Sequence, residues 1–110
     1  AQAIISRGMV YVSGNIGCDK EFKIVPGGVQ AQTRAALNNI SSLLKTAGSD
    51  LKHIVKANIY LTNMQRDFAP MNEAYAEFFD KDSMPARTCV GVATLPMGAD
   101  FEMECVAEIP

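Results

Sequence analysis

Two short segments near the C-terminus combine residue types that can do chemistry. Pro85-Ala86-Arg87-Thr88-Cys89-Val90-Gly91-Val92-Ala93 carries a guanidinium and a thiol two positions apart, and Phe101-Glu102-Met103-Glu104-Cys105-Val106-Ala107 carries two carboxylates at the same spacing. Both segments read as strands, where residues i and i+2 project from one face. A guanidinium gives a carboxylate two parallel hydrogen bonds, a geometry that lysine cannot match. A carboxyl group enclosed beside a like charge shifts toward its protonated form, which suits proton transfer. Arg87, Cys89 and Glu102 are therefore candidates for holding a small carboxylated substrate.

Each candidate also has an ordinary structural reading. A strand arginine commonly extends to solvent or pairs with a residue such as Asp100 or Glu102, and paired glutamates commonly form a solvated edge. Cys89 as a nucleophile requires a base. The one histidine, His53, lies far along the chain with no group to orient it, so a buried structural thiol is the stronger reading. Ser13, in Ser13-Gly14-Asn15, offers a hydroxyl and backbone donors to an anion at the end of a strand, although such a turn is usually only a turn. Asn72 falls one position off the apolar stripe of a helix, where it faces a pocket or water. Gly27-Gly28 opens a helix, but neither nucleotide-binding glycine pattern is present.

The elements that must position these residues follow from periodicity. Ala3–Ile5 and Met9–Val12 flank Ser6-Arg7-Gly8 as a hairpin with Gly8 at positive φ. Apolar positions from Val29 to Ala47 recur at helical steps, with Gly48 as the C-terminal cap. Ile54 to Leu61 is a strand with two fairly apolar faces, hence central and covered on both sides. Asn63 to Asp67 reads as a turn. A second helix is expected over Phe68–Phe79, with Phe68, Met71, Tyr75, Phe78 and Phe79 on one stripe and Pro70 confined to the first turn.

The expected fold is α+β: a single domain over residues 1–110, ordered β-β-α-β-α-β-β, with a mixed sheet and two helices on one face. Strand positions Val10, Val12, Ile59, Val90, Val92, Met103 and Cys105 look too apolar for a sheet covered on one side only. This predicts an obligate homo-oligomer that buries the second face.

Composition narrows the function. The 110 residues are 48% hydrophobic and 20% charged, with a net charge of -2, an ordinary balance for one globular domain and a poor one for binding nucleic acid. No apolar run approaches the roughly 20 residues that span a bilayer. Cys18, Cys89 and Cys105 show no metal or redox spacing and read as reduced thiols. The first residue is alanine rather than methionine, so the sequence is expected to be part of a longer chain.

Taken together, Tyr11-Val12-Ser13-Gly14-Asn15-Ile16, Asn58-Ile59-Tyr60-Leu61, Met71-Asn72-Glu73-Ala74-Tyr75, Pro85-Ala86-Arg87-Thr88-Cys89-Val90, Leu95-Pro96 and Glu102-Met103-Glu104 resemble the RidA (YjgF/UK-type) family of enamine and imine deaminases over essentially the whole chain. The resemblance implies a RidA/chorismate mutase-like homotrimer with a cleft between each pair of subunits. It implies hydrolysis of 2-enamino or 2-imino acids, such as 2-aminoacrylate/2-iminopropanoate and 2-iminobutanoate, to 2-oxo acids and ammonia. No metal or organic cofactor is expected, and the partners are the small substrate and other copies of the chain, not nucleic acid or membrane. By motif, Arg87 binds the substrate carboxylate, Ser13 and Asn72 border the cleft, and Cys89 contributes through its position and backbone. Glu102 holds water or shuttles a proton. A cleft-facing tyrosine is expected just ahead of Ala1. The expected compartment is the cytoplasm, with the mitochondrial matrix as the alternative, and the alternative function is a noncatalytic trimer that senses 2-oxo acids.

Overall fold

A computed structural model describes residues 1–110. In chain order the elements are β1 (Ala3–Ser6), β2 (Met9–Ile16), α1 (Gly28–Thr46), β3 (Ile54–Leu61), α2 (Met64–Ala76), β4 (Ala86–Gly91) and β5 (Phe101–Glu108). The strands form one sheet in the order β1-β2-β5-β3-β4, antiparallel throughout except for the parallel β3–β4 pair. This is the expected α+β, mixed-sheet arrangement. β4 and β5, consecutive in sequence, are not neighbours, because β3 lies between them.

Local sequence explains most boundaries. Arg7 (φ 51°) and Gly8 (φ 78°) form the two-residue turn that joins β1 to β2, both left-handed as a tight hairpin requires. At the end of α1, Gly48 takes φ 89°, its N–H donates to the Lys45 carbonyl, and the Ser49 N–H donates to the Leu44 carbonyl. That pair of bonds closes the helix.

α2 departs from expectation. It starts at Met64 rather than Phe68, because the Asn63 side chain caps it by accepting from the Arg66 N–H at 3.1 Å. Pro70 consequently lies inside the helix, which tolerates the missing N–H because its inner face is tied down by Met71 and Tyr75. Phe68 lies off the buried stripe and is exposed, while Phe78 and Phe79 follow the last helical residue.

Both helices cover one face of the sheet. Val10, Val12, Ala57, Ile59, Leu61, Phe101, Met103, Cys105 and Ala107 meet Ala36, Leu37, Ile40 and Leu44 of α1 and Met71 and Tyr75 of α2 in a single core. Each large aliphatic or aromatic side chain buried there contributes about 1.5–3 kcal/mol.

The other face corrects two expectations. Most of the apolar strand residues assigned to two faces lie together on the helix-covered one. The second face of β3 carries Lys56, Asn58 and Tyr60, half-buried rather than covered. A register shift between Ile54 and Lys56 puts Ile54 in the core and leaves Val55 exposed. The open face is thus mixed: Ile4, Tyr11 and Val90 are exposed apolar groups, and Glu102 and Glu104 stand among them on β5.

Candidate functional site

The fold divides the five candidate residues into two groups on opposite sides of the sheet. On the helix side, Arg87 and Cys89 project from edge strand β4, in register with Ala57 and Ile59 of the core face. The Arg87 guanidinium carbon lies 4.8 Å from the centroid of the Tyr75 ring on α2. Cys89 Sγ is 3.9 Å from Met64 Sδ. Cys89 is half-buried, and burial pushes its thiol pKa up, only partly opposed by Arg87, which disfavours the thiolate that a nucleophile needs. Asn72, on α2, has a buried side-chain oxygen with no hydrogen-bond partner in the chain.

The second group is on the open face and at the end of β2. A bulge between Val12 and Asn15 takes Ser13 and Gly14 out of the β2–β5 ladder. Ser13 is tied instead to the N-terminal segment: its N–H donates to the Gln2 carbonyl at 3.0 Å and its hydroxyl to the Ala1 carbonyl at 2.8 Å. Glu102 lies directly against Gly14, where a Cβ would stand 2.7 Å from its carboxyl carbon. A groove of ≈ 690 Å³ opens beside Ser13 and Gly14, bordered by Phe22, Asn39, Ser42 and Thr46.

The electrostatics single out Glu102. Burial first, and then the neighbouring Glu104 charge, raise its pKa from the ordinary carboxylate range. Glu104 is occupied differently, since it accepts from the Tyr60 hydroxyl and from Asn58 Nδ2. Of the two carboxylates, Glu102 is the one left without a hydrogen-bonding partner inside the chain.

Arg87 and Glu102 do not meet within one chain, so the ordinary pairing of Arg87 with Glu102 is not formed. They face opposite ways, and β3 stands between β4 and β5, two strand spacings or about 10 Å. Tyr75 is the contact that sequence reading missed. It falls on the apolar stripe, and nothing local signals that its ring lies under an arginine twelve residues away. Gly14 did carry a signal, because a glycine inside a strand marks a bulge or a close approach.

The family model described as endoribonuclease L-PSP matches residues 1–109. The 2-iminobutanoate/2-iminopropanoate deaminase of Bos taurus is 39% identical over 108 residues, covering 97% of this chain and 77% of its own. The mitochondrial protein MMF1 of Saccharomyces cerevisiae is 39% identical over 107 residues, covering 97% and 72%. The E. coli TdcF structure with bound serine superposes with a TM-score of 0.89 at 35% identity, covering 97% of this chain and 85% of that one. With matches spanning nearly its whole length, the chain belongs to the endoribonuclease L-PSP family, the RidA/YjgF family of the sequence resemblance.

Proposed function

We propose that the protein hydrolyses 2-enamino and 2-imino acids, such as 2-iminopropanoate and 2-iminobutanoate, to 2-oxo acids and ammonia, in clefts between the subunits of a homotrimer. The carrying observation is the split site. A free guanidinium lies on one face of the chain and an unpartnered, protonation-prone carboxyl on the other, too far apart for one small molecule to touch both. A second copy can bring its Arg87 edge to the Ser13–Gly14–Glu102 face. The deaminase relative supports the substrate class, and the serine-bound neighbour supports a small amino-acid-like ligand.

In this reading Arg87 grips the substrate carboxylate through two parallel hydrogen bonds. Ser13 lines the cleft, and Cys89 sets the strand geometry beside Arg87. Asn72 borders the cleft from α2. Glu102 takes a proton from water as it attacks the C=N carbon and returns it to the departing nitrogen. Positioned acid–base groups supply about 10²–10⁴-fold, and the carboxylate anchor adds proximity. The site works in the cytoplasm or, as the mitochondrial relative supports, in the mitochondrial matrix.

The alternative, a sensor of 2-oxo acids, needs Arg87 but has little use for a carboxyl with a raised pKa. An RNA-directed activity suits neither the net charge of -2 nor a site built around a carboxylate.

Complementation tests the proposal. Arg87→Ala and Glu102→Gln are each expected to abolish the acceleration of imine hydrolysis downstream of a threonine dehydratase. Random co-assembly of the two variants at equal expression should regain about a quarter of the wild-type activity, because across the population one interface in four unites an intact arginine with an intact glutamate. Failure to regain activity would refute the shared cleft. Wild-type protein that binds 2-oxobutanoate without accelerating hydrolysis would favour the sensor.

A further inference from the structure

We infer that Tyr75 is the positioning residue for Arg87, its buried ring holding the guanidinium so that the N–H edge is presented to a carboxylate. The identity of that carboxylate rests on the deaminase reading above, but the stack does not.

The guanidinium carbon lies 4.8 Å from the ring centroid, inside the roughly 6 Å range of a cation–π contact. A guanidinium stacked by its flat face on the ring, the arrangement proposed, leaves its five N–H donors pointing outward in the plane. The ion pairs within the chain are Lys23–Glu21, Arg34–Glu77, Arg66–Asp67 and Arg66–Asp100, and Arg87 takes part in none of them. A carboxylate neighbour would fix Arg87 by occupying the donors that a substrate requires. An aromatic face fixes it and leaves them free.

The ring itself is enclosed by the core. Tyr75 is 3% exposed, sits in the core with Met71, and packs against Phe79 with centroids 4.6 Å apart and planes tilted by 31°. Its hydroxyl has no partner, and burial pushes its pKa to about 12, so the ring stays a neutral phenol at any working pH. The hydroxyl therefore adds nothing to the contact, and phenylalanine should replace tyrosine without loss.

The test compares full-length wild type with Tyr75→Phe and Tyr75→Leu. The readouts are 2-oxobutanoate binding by calorimetry, KM and kcat for 2-iminobutanoate, and the NMR signal of the Arg87 Nε–H. Tyr75→Leu should weaken binding and raise KM about 5- to 30-fold, with kcat much less affected. It should also move the Arg87 signal downfield as the ring current is lost. Tyr75→Phe should behave as wild type in all three. If Tyr75→Leu unfolds, Tyr75→Met takes its place. Unchanged binding in the leucine variant, or a phenylalanine variant as impaired as leucine, would overturn the inference. Wild type that neither binds 2-oxobutanoate nor accelerates hydrolysis would overturn the deaminase reading, and an Arg87 signal unmoved by Tyr75→Leu would then remove the stack as well.

Discussion

Gly14 and Glu102 occupy one another's space, and the consequences can be tested at single positions. A methyl group at Gly14 would stand 2.7 Å from the Glu102 carboxyl carbon, the mobile end of a side chain, so Gly14→Ala should displace the carboxyl rather than the backbone. Activity is expected to fall at least about tenfold, within the range of a lost acid–base group, with a near-normal unfolding midpoint. A large loss of stability with retained activity would contradict this. In the proposed reaction Glu102 trades stability for function. Its pKa is raised on folding, so the native chain holds a proton that the unfolded chain releases. Stability is full below the ordinary carboxylate pKa and declines as pH rises toward the raised one. Glu102→Gln should therefore melt at or above the wild-type temperature at pH 7, with the difference vanishing toward pH 4, while hydrolysis is lost. A variant that melts lower at pH 7 than at pH 4, relative to wild type, would reverse the sign of this argument.

Among the elements, two glycines on either side of α1 separate conformational strain from steric exclusion. Gly48, at φ 89°, has only Ile109 Cγ2 nearby, 3.7 Å from a built Cβ, so Gly48→Ala should cost only the left-handed penalty of about 1–2 kcal/mol. At Gly17 a Cβ would collide with the Gln32 carbonyl oxygen in the backbone of α1, which cannot move without the helix. Gly17→Ala is expected to cost at least about 3 kcal/mol. Urea denaturation of both variants checks the order, and equal midpoints would refute it. The start of α2 shows why periodicity misplaced an element. Residues 64–67 lack an apolar rhythm but carry a cap, and Asn63 decides the boundary. Inside α2, Pro70 was legible as a helix residue but not as an interior one. The cost of its missing N–H is offset by core contacts that only the packed sheet provides.

For the whole molecule, the proposed function depends on assembly. The open face exposes Tyr11 (46%) and Val90 (42%) beside two half-buried glutamates, and the two halves of the site lie on different sides of the sheet. Placing charges at both apolar positions, Tyr11→Glu with Val90→Glu, should yield a folded monomer without activity, detectable by light scattering and circular dichroism. A trimer of unchanged mass would show that this face is not the contact. Much was already readable in the amino-acid order: the α+β class, the element sequence, the Gly8 turn, the Gly48 cap, and the residue types suited to carboxylate binding and proton transfer. These depend on short-range periodicity and on the conformational needs of individual residues. Strand order, the separation of Arg87 from Glu102, the fit of Glu102 over Gly14 and the ring of Tyr75 beneath Arg87 became visible only in three dimensions. Each depends on which strand lies beside which, and that is set by long-range burial of the core, for which no local spacing carries a signature.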